Sequence, residues 1–119
     1  MDFHYEGIAN ELERCSDETL DGLPFGVIRM TRDGLVNGFN AYEVRLAGLS
    51  RSRVVGKHFF TEVAPCTNNA LVAQRYEECL MLDERLPYVF TLRMRPRKVE
   101  LRLLKVTDSA HQYLLVRNR

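Results

Sequence analysis

Two side chains in this sequence have neighbours that would change their chemistry, Cys66 and Glu43. Cys66 lies in VAPCTNN, immediately ahead of a segment with helical periodicity over 69–82. A thiol close to a helix N-terminus meets unpaired N–H groups that favour the thiolate. Pro65 restricts the backbone before it and helps aim the side chain. A thiolate there can serve as nucleophile, redox sensor or covalent anchor for a prosthetic group, and a buried structural thiol has the same spacing. Glu43 stands among Ala41, Val44 and Leu46. Buried between them, a carboxyl would keep its proton and donate a hydrogen bond to an anionic partner. Turned outward, it would be an ordinary solvated glutamate.

The remaining reactive residue types make no constellation. Cys79 falls on the apolar face of the 69–82 segment and is expected in the core. Cys15 has no such context and is expected to be exposed. Three cysteines without a CxxC pair argue against a disulfide framework or a zinc site. His4, His58 and His111 are far apart without metal-ligand spacing, and His58 reads as a loop residue. Gly22, Gly26, Gly34 and Gly38 match neither phosphate-binding fingerprint. Ser50 and Ser52 have no base nearby in the pattern. Neither a hydrolase nor a kinase is supported, and the chain is read as a protein without enzymatic activity.

The elements that must position Cys66 and Glu43 follow from turn signals and periodicity. Residues 8–14 (IANELER) predict a short helix, and LDGLPFG an irregular connection. FGVIRMT and LVNGFN, separated by Asp33-Gly34, predict a hairpin, because glycine supplies the positive φ such turns need. Asn40 is suited to cap a short helix over 41–46, and a second turn is expected near 50–54, ended by Gly56. The run 58–63 is apolar but too short to assign. Leu71, Val72, Tyr76, Cys79, Leu80 and Leu82 make 69–82 the best helix, with Thr67 or Asn68 as its cap. Three strands follow in LPYVFTLRMR, RKVELRLLKV and QYLLVRN, with turns expected at Pro96-Arg97 and Asp108-Ser109. This order describes an α+β domain with one antiparallel five-stranded sheet, whose one face packs on a helical crossover and leaves a cavity between.

At 119 residues, 45% apolar and 28% charged, the chain is sized for one globular domain. A formal charge of +1 does not announce a nucleic-acid binder. No apolar stretch approaches a membrane span, and the acidic N-terminus does not resemble a leader, so the expected location is cytoplasmic. The charge is unevenly placed: residues 1–21 hold seven acids and one base, and residues 93–105 six bases and one acid. Two solvated faces would account for this. Alternatively the acidic segment docks near the basic strands and can be released. The ribbon from Arg93 to Lys105 reads as a soluble sheet face rather than a nucleic-acid surface.

Several segments together resemble the photoactive yellow proteins, small bacterial blue-light receptors of the PAS superfamily. They are LDGLPFGVI (20–28), DG-x4-FNAYE (33–43), VVGKHFFTEVAPCT (54–67) and MRPRKVEL (94–101). The stretch GK-x-FF-x-x-VAPC is the specific part. The resemblance implies a PAS fold over 23–119 with an N-terminal cap, 1–22. It implies that Cys66 carries 4-hydroxycinnamic acid (p-coumaric acid) as a thioester, and that protonated Glu43 hydrogen-bonds the chromophore phenolate. Light would isomerise the chromophore, Glu43 would pass on its proton, and the buried charge left behind would loosen the cap. The implied pocket walls are Ile28, Phe59, Val63, Ala64, Phe90 and Met94, the methionine being associated with thermal return.

The departures from the family pattern gather at the phenolate. Phe39 stands where the family has a tyrosine donor, Ala47 replaces the threonine supporting it, Leu49 the covering arginine and Leu92 a pocket-edge tyrosine. Losing a charge-assisted hydrogen bond worth roughly 1.5–3 kcal/mol would raise the phenol pKa. Tyr42 offers another hydroxyl but is expected to face elsewhere. The expectation is a blue to near-ultraviolet photoreceptor, monomeric or weakly dimeric, signalling to an unidentified downstream protein. The alternative is a chromophore-free PAS module binding a ligand or a protein. A thiol redox sensor lacks a resolving cysteine at suitable spacing.

Overall fold

The first hairpin forms as its turn signal predicts. Gly34 adopts φ 88°, and a Cβ there would come 2.8 Å from His58 Nε2. The turn joins β1 (Gly26–Thr31) to β2 (Val36–Phe39), with Ile28 opposite Phe39. Together with β3 (Leu82–Leu92), β4 (Arg95–Lys105) and β5 (His111–Asn118) they form one antiparallel sheet in the order β2-β1-β5-β4-β3. The computed structural model describes residues 1–92 and 94–119; Arg93, at the start of the basic ribbon, lies outside the described residues.

The crossover from β2 to β3 consists of short pieces. They are α3 (Ala41–Ala47), α4 (Arg51–Val54), a π-helical turn at Phe59–Val63, a 3-10 turn at Pro65–Thr67 and α5 (Ala73–Glu78). Asn40 caps α3 as expected, its side chain accepting from Glu43 N. The helix expected over 69–82 shrinks to the six residues of α5. Asn69 Oδ1 accepts from Leu71 N (3.0 Å) and Val72 N (3.1 Å), a local turn that competes with helix at this point. Beyond α5, Cys79 is extended, Leu80 and Met81 are 75% and 69% exposed, and Leu82 already belongs to β3. Cys79 is therefore half-buried at the core's edge rather than within it. The β3–β4 turn also differs from expectation. Pro96 pairs with Thr91 inside the ladder, and the turn passes through Met94 at φ 62°.

Each face of the sheet has its own apolar cluster. The crossover packs on Ile28, Phe90, Val99, Leu101, Leu103 and Leu114. On the opposite face α1 (Ile8–Arg14) and α2 (Asp17–Asp21) bring Phe3, Ile8, Leu12 and Leu20 against Val27, Leu104, Tyr113 and Leu115. Cys15 is half-buried there, not exposed, its thiol donating to Glu11 O at 3.2 Å. The acidic segment thus docks on the basic strands, but mainly through apolar packing. Arg102 is 2% exposed rather than solvated; it donates to Phe3 O (3.0 Å) and Tyr5 O (2.9 Å) and forks onto Asp83. Glu13 accepts from Ser109 and from the Tyr113 hydroxyl (2.6 Å), and pairs with His111.

Candidate functional site

Glu43 leaves the first turn of α3 toward the sheet. It is 0% exposed, and among the described residues neither Oε1 nor Oε2 has a hydrogen-bond partner. The carboxyl lies against the backbone of Gly26 at the start of β1. Desolvation pushes its pKa from an ordinary 4.5 up to about 8, because burial penalises the charged form. The solvated-glutamate reading is thereby excluded. A buried acid with two idle oxygens is a hydrogen-bond donor without an acceptor.

Asn40 fixes where that acid sits. Its Oδ1 accepts from Glu43 N (3.2 Å) and Val27 N (2.9 Å), while Nδ2 donates to Leu20 O (2.8 Å) and Phe25 O (3.0 Å). One buried amide therefore joins the start of α3 to β1 and to the end of the N-terminal segment.

Cys66 lies within the 3-10 turn, and α5 begins only at Ala73, so the expected helix N-terminus does not reach it. Its position is held by the turn instead. Ala64 N donates to Phe59 O (2.8 Å), and the buried Thr67 donates Oγ1 to Ala64 O (2.7 Å). The Tyr88 hydroxyl donates to Cys66 O at 2.5 Å, and Asn69 Nδ2 donates to Cys66 O (3.2 Å) and to the Tyr88 oxygen (2.6 Å). Tyr88 and Asn69 were not singled out as site residues in the sequence, and Thr67, expected as a helix cap, instead closes the 3-10 turn. Tyr88 was legible there, since it alternates with Phe90 and Leu92 along β3; the signal at Asn69 was the capping and turn preference of asparagine, here used on Leu71 N and Val72 N.

One apolar cluster gathers the other expected wall residues. Ile28, Phe39, Phe59, Ala64, Phe90 and Leu92 are buried in it, and Ala47, Leu49, Val63, Tyr42 and Cys66 pack half-buried against it. Met94 is the exception. It sits at the β3–β4 turn, 92% exposed, and is not a wall of this site. Arg51 does not take the place of the missing covering arginine: it donates to Phe39 O (2.8 Å) and pairs with Asp21 outside the cluster. His58 caps the π-helical turn, accepting from Thr61 N. A cavity of about 320 Å³ opens at one end of the cluster, walled by Leu46, Ala47, Phe90, Leu92, Arg95 and Arg97. Among the described residues no group of acids, histidines and cysteines could hold a metal, and no helix is long and apolar enough to cross a membrane.

Residues 17–119 match the family model described as PAS fold. The chain is 33% identical over 118 residues to a photoactive yellow protein of Halochromatium salexigens, covering 97% of this chain and 94% of the relative. A photoactive yellow protein of Rhodothalassium salexigens is 30% identical over the same coverage. Among solved structures, the photoactive yellow protein domain of the sensor histidine kinase Ppr from Rhodospirillum centenum superimposes with a TM-score of 0.83 at 32% identity, over 92% of this chain and 98% of that one. A PAS domain of an HTR-like protein from Haloarcula marismortui, 16% identical with a TM-score of 0.66, shares the fold.

Proposed function

The chain belongs to the PAS family as a divergent photoactive yellow protein, and from that premise we propose that it is a blue to near-ultraviolet photoreceptor carrying 4-hydroxycinnamic acid as a thioester on Cys66. The observation that carries this reading is the Glu43 carboxyl, wholly buried and, among the described residues, unpartnered, on the helix whose Leu46 belongs to the cluster that Cys66 borders. A pKa near 8 keeps it largely neutral at neutral pH, and a phenolate would give it the acceptor it lacks. The bound chromophore would supply light absorption and a double bond that isomerises.

The chain's own residues account for the rest. Tyr88 and Asn69 hold the Cys66 carbonyl, fixing the turn that presents the thiol. Glu43 holds a proton in the dark and yields it when its acceptor becomes the stronger base. An ionised carboxylate without a counter-charge is costly in such surroundings. Relaxation of α3 pulls on Asn40, which also holds Leu20 O and Phe25 O. That amide is the physical route from Glu43 to the N-terminal cap, whose loosening exposes the surface read by a downstream signalling protein.

Phe39, Ala47, Leu49 and Leu92 place no hydroxyl or guanidinium at the phenol end. The phenolate therefore lacks a second donor worth roughly 1.5–3 kcal/mol, and the neutral phenol gains population, moving absorption toward the near ultraviolet. The same apolar replacements favour a second reading, a PAS module that binds a ligand or a protein without a chromophore. Mixing the apoprotein with activated 4-hydroxycinnamate, with intact mass and absorption read together, separates the two. An adduct mapped to Cys66 with a light-bleachable band supports the photoreceptor. A folded protein whose free Cys66 stays unmodified overturns it.

A further inference from the structure

Along most of β4 the side chains facing the crossover are apolar: Val99, Leu101 and Leu103 all lie in the cluster beneath it. Toward the β3–β4 turn the same alternation brings Arg97 and then Arg95 to that face. Their register partners are Phe90 and Leu92, so the four side chains leave the sheet on one side. All four line the cavity together with Ala47. Both arginines are exposed, and among the described residues neither has an ion-pair partner.

The cavity opens against the C-terminal half of α3, lined there by Leu46 and Ala47 though not by Glu43 itself. Ala47 is one helical turn beyond Glu43 on the same face of α3, and Cys66 is not among the cavity walls. A group anchored at Cys66 and reaching Glu43 would end about one helical turn from Ala47, a wall of this opening. Negative charge arising there meets Phe39, Ala47 and Leu49, none of which can balance it. Among the described residues, the register brings two guanidinium groups without ion-pair partners, Arg95 and Arg97, to this face.

Resting on the photoreceptor reading, we infer that Arg95 and Arg97 face the phenol end of the group held on Cys66 and supply the positive charge that stabilises its ionised form. Exposed cations act through solvent, so their influence weakens as salt is added. It depends on charge more than on one bond geometry, so lysine at both positions preserves it.

The test uses the full chain acylated on Cys66, with acylation verified by mass before any titration. Phenol ionisation is followed by absorption at low and high salt in the wild type, in Arg95→Gln/Arg97→Gln and in Arg95→Lys/Arg97→Lys. The glutamine pair is expected to raise the midpoint by on the order of one pH unit, a tenfold weaker ionisation. The lysine pair keeps the wild-type midpoint, and salt raises the midpoint only where the charges remain. As an independent readout, the arginine Nε–H resonances of the wild type shift as the phenol ionises. Circular dichroism confirms the fold of each variant, and the single replacements serve if a double one unfolds. Equal midpoints in all three acylated proteins at low salt overturn the inference. Failure of Cys66 to acylate overturns the photoreceptor reading, and this inference with it.

Discussion

A side chain at Gly26 and the carboxyl of Glu43 compete for one place: a Cβ at Gly26 would lie 2.2 Å from Glu43 Oε1 and 3.2 Å from Val116 O. The first strand of the sheet therefore begins with a residue whose missing side chain makes room for the acid. Gly26→Ala is expected to displace the carboxyl and destabilise the fold by about 1–3 kcal/mol, the usual cost of overpacking. Urea denaturation measures this. Stability within error of the wild type would show that the carboxyl moves aside freely.

Glu43 also imposes a pH dependence on the protein without chromophore. Its folded pKa of about 8 stands above the ordinary 4.5, so between those values the folded state binds the extra proton. The stability tied to that proton is fully present below 4.5 and is lost as pH rises through 8. The slope approaches about 1.4 kcal/mol per pH unit for one group. Chemical denaturation across this range should show the decline, and Glu43→Gln should flatten it. An identical slope in the variant would assign the decline to another group.

Much of this was legible because local signals and tertiary demands agreed. The Asp33-Gly34 turn, the Asn40 cap and the alternation of the last strands each specify an element without long-range help. The resemblance carried by the motif around Cys66 named a set of apolar residues, and of these Ile28, Phe39, Phe59, Phe90 and Leu92 share one buried cluster in which Ile28 pairs with Phe39. The failures share a cause. Leu71 and Leu80 fit a helical stripe yet are exposed: Leu71 lies before α5, where Asn69 spends its side chain on a local turn, on Cys66 and on Tyr88, and Leu80 follows the point where the chain turns extended at Cys79. Met94 was placed by motif position alone, and the positive φ of its turn sends it outward. Arg102 looked like one more solvated base; only the docked N-terminus, 97 residues away at Tyr5, explains its burial.

Tyr88 predicts how tightly the anchor is held. Tyr88→Phe removes the hydroxyl that donates to Cys66 O and accepts from Asn69. The expected loss is about 0.5–1.5 kcal/mol, carried by the turn rather than by the sheet. Alkylation of Cys66 in the apoprotein should then quicken roughly two- to tenfold if the thiol reacts from a locally opened turn. Labelling at the wild-type rate would mean that Asn69 and Thr67 hold the turn without it.

The N-terminal cap should loosen in acid through Glu13. Desolvation raises the pKa of this carboxyl, but the hydrogen bonds from Ser109, Tyr113 and His111 outweigh it and leave the value below the ordinary 4.5. A lowered carboxyl pKa gives stability that is present above the unfolded value and lost as pH falls through the folded one. The contacts at stake join α1 to the turn before β5 and to β5 itself. Hydrogen-exchange protection at residues 8–14 should therefore drop below pH 4.5, while protection of β4 and β5 persists. Glu13→Gln should show a looser cap at neutral pH and little further change in acid. If the variant loses protection on acidification as the wild type does, the latch lies elsewhere, among the other charged contacts of the cap: Arg102 with Asp83 beneath Phe3, Arg29 with Asp17, Arg51 with Asp21 and His4 with Glu100.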